Sequence, residues 1–132
     1  MSNGEKVPPA DIESAILMDD RFEQVLVIGE GESFLSALIV LNADTWPDLA
    51  KEHNLAMDDK ESLSDKSLHN AILQRLKELL HDFPAYTKIR KVALYLDPWS
   101  IENDLMTPTM KVKRAKVISH HQDNIDLIYE KD

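Results

Sequence analysis

Two apolar runs separated by a polar, glycine-containing turn predict a β-hairpin in the first third of the chain. Two apolar runs rich in β-branched residues flank the sequence GEGE at positions 29–32. Glycine-containing turns between such runs are typical of hairpins. We therefore expect strands at about 23–28 and 33–41, and the sequence offers four candidates for their buried positions: Val25, Val27, Leu38 and Val40.

Apolar residues spaced three and four apart predict helices, because that spacing places them on one helical face. The helices predicted in this way span about 9–18, 46–53 and 65–83. The last is the longest, and its single apolar stripe consists of Leu68, Ile72, Leu76, Leu79 and Phe83.

A third strand is predicted at 89–96, where Val92, Leu94 and Leu96 alternate onto one face. The polar segment 57–67 reads as a loop and 97–110 as a long connection. Two short helices at most follow, at 112–121 and 124–132. This order predicts one α+β domain in which a small sheet of about three strands, including the β-hairpin, is covered by helices.

Composition narrows the class of protein. The formal net charge of -9 argues against general nucleic-acid binding, which needs a basic face. With no cysteine, the chain has no disulfide, thiolate nucleophile or cysteine-ligated zinc. The sequence contains no apolar run long enough for a membrane helix and no signal-peptide pattern. We expect a cytoplasmic protein, with peripheral association with a membrane as an alternative.

One short stretch departs from this acidic background. TPTMKVKRAK, at 107–116, contains the four cations Lys111, Lys113, Arg114 and Lys116, and the rest of the chain carries -13 without them. The residues alone leave two interpretations open. The stretch is either a run of solvated surface charges or a turn from which a lysine can bind a phosphate or a carboxylate.

Motifs at both ends of the chain extend this interpretation. LMTPTMKVKR at 105–114, after WSIENDL, resembles the C-terminal signature of AMP-forming long-chain fatty acyl-CoA synthetases, members of the adenylate-forming superfamily. SNGEKVPPADIE at 2–13 resembles the stretch that opens the small C-terminal domain of these enzymes. The segment at 23–42 resembles the hairpin that follows. The resemblance covers nearly the whole chain in the right order.

The resemblance implies roles for individual residues. Lys111 stands where the family has its catalytic adenylation lysine, and Met110 replaces the glycine usual before it. Thr109, Lys113 and Arg114 are implied as supporting residues of the same motif, whereas solvated charge is expected of Lys116.

In the opening loop, Gly4 and Glu5 are implied to face the pantetheine of CoA during thioester formation. Lys6 is assigned no role.

For the chain as a whole, the resemblance implies the mobile C-terminal domain of a long-chain fatty acid–CoA ligase, at 1–132, with the large ATP-binding domain outside it. The full enzyme would use a fatty acid, ATP, Mg²⁺ and CoA, with no cofactor bound to the isolated domain, which is expected to be inactive. No metal site is expected, because adjacent His120 and His121 point in different directions. The alternative is a standalone acidic α+β binding module whose basic loop docks a phosphate or a partner.

Overall fold

The computed structural model describes residues 7–130. Its strands are β1 (Phe22–Ile28), β2 (Leu35–Leu41) and β3 (Ile89–Tyr95). Its helices are α1 (Pro9–Ile16), α2 (Trp46–Glu52), α3 (Lys66–Leu79), α4 (Arg114–His120) and α5 (Gln122–Ile128), with 3-10 helices at Lys60–Ser64 and Ala85–Thr87. The predicted α+β class is confirmed.

The three strands form a mixed sheet in the order β1-β2-β3. β1 and β2 pair antiparallel, which confirms the predicted hairpin. β3 pairs parallel to β2. Parallel neighbours need a long crossover connection, and here the crossover includes α2 and α3.

Both faces of the sheet are buried. Val25 and Val27 lie in a first apolar cluster with α1, α2 and α3, whereas Leu38 and Val40 lie in a second cluster with Trp99 and the last two helices. All four predicted core residues are therefore buried, but on opposite faces. This burial explains the continuous apolar runs at 25–28 in β1 and 37–41 in β2, whose side chains alternate between the two buried faces of the sheet.

Several helices and strands are shorter than predicted. α1 ends at Ile16 instead of continuing to 18, and α3 ends at Leu79 instead of 83. The start of α3 is fixed by Asp65, whose side chain accepts a hydrogen bond from the Leu68 N–H at 3.0 Å. β2 begins at Leu35, two residues later than predicted, because a turn closed by the Glu32 N–H and the Gly29 carbonyl precedes it.

The segment 57–67, predicted as a loop, contains the 3-10 helix Lys60–Ser64. Within the described range, the longest helix has 14 residues, and none of its helices has the length and apolar character needed to span a membrane.

Candidate functional site

Lys111 lies at the end of a short hairpin loop that projects from the second cluster. The stem of the loop is antiparallel: Met106 bridges to Val112, and the Lys113 N–H donates to the Leu105 carbonyl at 2.8 Å. The Thr107 N–H donates to the Lys111 carbonyl, also at 2.8 Å. These bonds fix the backbone on both sides of the turn.

The turn itself consists of the residues between Thr107 and Lys111. The Met110 N–H donates to the Thr107 carbonyl at 2.8 Å, and Met110 adopts a left-handed conformation with φ of 67°. A turn followed by a left-handed residue is a common three-residue hairpin loop, in which glycine usually occupies that position. The Thr107 hydroxyl accepts from the Lys111 N–H at 3.1 Å and lies 3.0 Å from the Thr109 hydroxyl. The two threonines thus brace the loop.

The base of the loop is held by buried residues. Leu105 and Met106 are buried in the second cluster, and Trp99 is 2% exposed. The side chain of Gln24 donates to the Trp99 carbonyl at 2.9 Å and accepts from its N–H at 2.7 Å. A β1 side chain therefore holds the connection that leads into the loop.

Two of the four cations share one carboxylate. Asp104 accepts from the ammonium groups of Lys113 and Lys116, the second at 2.8 Å. These bonds, with that from Lys113 contributing most, lower the pKa of Asp104 to about 2. Lys116 is exposed, as expected, but it is paired with Asp104.

Arg114 is paired with the first helix. Its Nη1 donates to both carboxylate oxygens of Glu13, at 3.1 and 3.0 Å. Its Nη2 donates to the Val27 carbonyl at 3.1 Å. The guanidinium of Arg114 is thus directed into the domain.

The side chain of Lys111 is exposed, and no hydrogen bond or ion pair joins its ammonium to any group in the described residues 7–130. The basic stretch is therefore not a continuous basic surface. Within the described residues, the other three cations are each paired with a carboxylate of the domain, two of them with the same one, whereas the ammonium of the lysine at the turn has no such partner.

The predicted CoA-facing residues belong to the opening loop. Gly4 and Glu5 lie outside the described residues. The nearest described residue is Val7, whose N–H donates to the Tyr86 hydroxyl at 2.7 Å.

The two adjacent histidines were considered as metal ligands. The ring of His121 stacks on Tyr95 with centroids 4.0 Å apart, and its Nε2 accepts from the Trp99 indole N–H at 3.1 Å. Burial lowers the pKa of His121, which favours the neutral ring. The part of the chain that the structure describes contains no group of three or more histidine, aspartate or glutamate side chains placed to hold a metal ion.

Sequence reasoning missed Asp104 and Glu13 as partners of the basic stretch. Asp104 lies within the WSIENDL motif, so a search for carboxylates near the lysines could have found it. Glu13 is separated from Arg114 by 101 positions, and no local pattern links the two.

Comparison with known proteins gives the relationships of the chain. Residues 1–132 match the family model of the AMP-binding enzyme C-terminal domain. The chain is 31% identical to the peroxisomal acyl-CoA ligase 891 of Penicillium brevicompactum, covering 98% of this chain and 20% of that protein. It is 29% identical to long-chain-fatty-acid–CoA ligase 1 of Cavia porcellus, covering 98% of this chain and 19% of that one. The chain therefore spans about a fifth of the length of these relatives.

Solved structures share the fold. The A domain of a carboxylic acid reductase from Segniliparus rugosus, in complex with AMP and a co-purified carboxylic acid, superposes with a TM-score of 0.75 at 21% identity. The match covers 98% of this chain and 19% of that one.

Proposed function

Because the chain belongs to the family of AMP-binding enzyme C-terminal domains, we propose that it is the small, mobile domain of a long-chain fatty acid–CoA ligase. The names of relatives that align over 98% of the chain support this substrate class. Its partner is the large ATP-binding domain of the same enzyme, to which it supplies a lysine for adenylation and a loop that faces CoA for thioester formation.

The observation that carries the proposal is the isolation of Lys111. Lys113, Arg114 and Lys116 are each held by a carboxylate of this domain, whereas Lys111 has no such partner in residues 7–130. A cation with no anionic partner among the described residues, on a turn braced by hydrogen bonds, is suited to an anion held by another domain. A docking surface would instead need several cations open to the same partner.

In the first half-reaction, Lys111 lies between the fatty carboxylate and the α-phosphate of ATP. The carboxylate oxygen attacks the α-phosphorus and pyrophosphate leaves, so negative charge shifts onto the bridging oxygen. An ammonium held in a cleft that excludes water stabilises that charge and aligns the two anions.

In the second half-reaction, the domain rotates and the opening loop replaces Lys111 at the active site. Gly4, which lacks a side chain, allows the backbone to approach the pantetheine of CoA closely, with Glu5 beside it. The CoA sulfur attacks the acyl carbonyl and AMP leaves. Rotation about a hinge is the usual way in which one domain serves two steps.

ATP and CoA are held mainly by the large domain in this proposal. Residues 7–130 present no cluster of three ligands for a metal ion, so the Mg²⁺ that accompanies ATP is expected to bind the large domain and the phosphates. A C-terminal domain separated from its partner is therefore expected to be inactive.

The test is turnover by the longer protein that contains this chain. With palmitate, ATP and CoA it should form acyl-CoA, AMP and pyrophosphate, and the purified 132-residue chain should form none. Release of ADP, or absence of acyl-CoA from any fatty acid tried, would contradict the proposal. Turnover by the 132-residue chain alone would contradict the division of the site between two domains.

A further inference from the structure

Glu13, Val27 and Arg114 form a closed ring of hydrogen bonds at the outer edge of β1. Glu13 Oε2 accepts from the Val27 N–H at 2.8 Å and from Arg114 Nη1 at 3.0 Å. Arg114 Nη2 donates to the Val27 carbonyl at 3.1 Å. One ion pair therefore satisfies both backbone groups of a single strand residue.

This arrangement closes the sheet edge where another strand would otherwise pair. An unpaired edge strand is usually blocked by a charge, a bulge or a covering element. Here the two charges come from helices 101 positions apart in sequence. The side chain of Glu13 is only 13% exposed and that of Arg114 is 44% exposed, so the carboxylate of the pair is shielded from solvent while the guanidinium is partly open to it.

The ring lies directly beyond the candidate catalytic loop. Arg114 is the first residue of α4, and Lys111 precedes it by three positions. Lys113, between them, is bonded through its N–H to the Leu105 carbonyl at 2.8 Å. The strand that leaves the hairpin turn thus runs without an intervening linker into a guanidinium anchored on β1.

We propose that Glu13 and Arg114 are a positioning pair that fixes the exit strand of the Lys111 hairpin, and with it the Lys111 ammonium, relative to the sheet. The inference rests on the proposed function, since it assigns the pair a role in adenylation. Neither residue touches substrate. They act through Lys111, which must enter a cleft of the large domain at a defined distance from two anions.

The two ion pairs of Asp104 also hold this region, but they do not connect it to the sheet. Asp104 binds Lys113 and Lys116, but its side chain is 59% exposed, and exposed ion pairs hold geometry weakly. It also joins the segment before the loop to the exit strand and to α4. The Glu13–Arg114 pair instead joins that region to α1 and β1.

The experiment uses the longer enzyme with two conservative variants and one matched control. Arg114→Lys keeps the charge but cannot bond to Glu13 and Val27 with a planar fork. Glu13→Gln keeps the size but removes the ion pair. Arg75→Lys is the control, because Arg75, in α3, makes a comparable bond to Asp19, at 2.7 Å.

The first readout is hydrogen exchange of peptides that cover 105–113. In Glu13→Gln and Arg114→Lys their amides should exchange about tenfold faster, and the double variant should add little because the two residues act as a unit. Arg75→Lys should leave these peptides unchanged. Unchanged exchange in the two pair variants would overturn the inference, whatever reaction the enzyme catalyses.

The second readout separates kcat from KM. The kcat of ATP–pyrophosphate exchange should fall about tenfold, because a small displacement of a catalytic group is costly. The KM values for ATP and fatty acid, and acyl transfer from supplied acyl-adenylate, should stay near wild type. Faster exchange of 105–113 with unchanged adenylation would overturn the positioning role. A different result would show that the proposed function itself is wrong: the Lys111→Ala variant would then retain adenylation.

Discussion

Replacing Met110 by glycine should stabilise the protein, although glycine at an ordinary position destabilises it. Met110 has a φ of 67°, in the left-handed region that side chains with a Cβ rarely adopt. Its side chain is 62% exposed, so its removal forfeits little buried apolar area. The main effect of Met110→Gly is therefore on the backbone.

Two opposing free energies set the size of the effect. A non-glycine residue in the left-handed conformation costs about 1–2 kcal/mol. Glycine offsets about 0.5–1 kcal/mol of this gain, because the unfolded chain with glycine has more conformational freedom to lose on folding. The free energy of unfolding should thus rise by about 0.5–1 kcal/mol, which for a chain of this size raises Tm by about 2–4 °C.

The assay is urea unfolding of the 132-residue chain followed by circular dichroism, with wild type, Met110→Gly and Met110→Ala compared. The alanine variant is the matched control, because it removes the same side chain but keeps the Cβ. The glycine variant should have the highest midpoint, with an unchanged slope against urea. If Met110→Gly unfolds at or below the midpoint of Met110→Ala, the backbone reasoning is refuted.

Three further predictions concern stability. Arg21 and Arg75 hold the pKa of the buried Asp19 carboxyl far below its usual value. Below about pH 4 the unfolded state therefore binds more protons than the folded state, so this stabilisation is lost on acidification, and Asp19→Asn should flatten the acid limb of a stability–pH curve. Leu38→Ala, at a position with no exposure, should cost about 2–5 kcal/mol in urea unfolding. Tyr129→Phe removes a hydroxyl that donates to the Phe34 carbonyl in the β1–β2 connection. Thermal unfolding should show that the free energy of unfolding falls by about 1–2 kcal/mol.

Structural features that depend on residues close together in the sequence could be predicted. The β1–β2 hairpin was predicted because its apolar runs and its glycine turn are contiguous. The end of α3 was predicted too late, because apolar periodicity continues to Phe83, which packs against the first cluster from beyond the helix. Helical spacing therefore indicates burial more reliably than it indicates where a helix ends.

Structural features that depend on contacts between residues far apart in the sequence could not be predicted. The parallel pairing of β3 with β2 follows from the crossover through α2 and α3, which no local pattern specifies. The motif singled out Lys111 among four cations, and that assignment stays a prediction. The structure adds a physical distinction between these cations, through partners such as Glu13 that only folding brings near.

The most direct test of the account is the rate of each half-reaction in the longer enzyme carrying Lys111→Ala, with Lys116→Ala as control. Loss of a preorganised cation at the reacting phosphate should slow ATP–pyrophosphate exchange by about 100-fold or more. Acyl transfer to CoA from supplied acyl-adenylate should remain near wild type, and Lys116→Ala should be normal in both steps. Near-normal exchange in Lys111→Ala, or equal losses in the two variants, would contradict the assignment of Lys111 as the adenylation lysine.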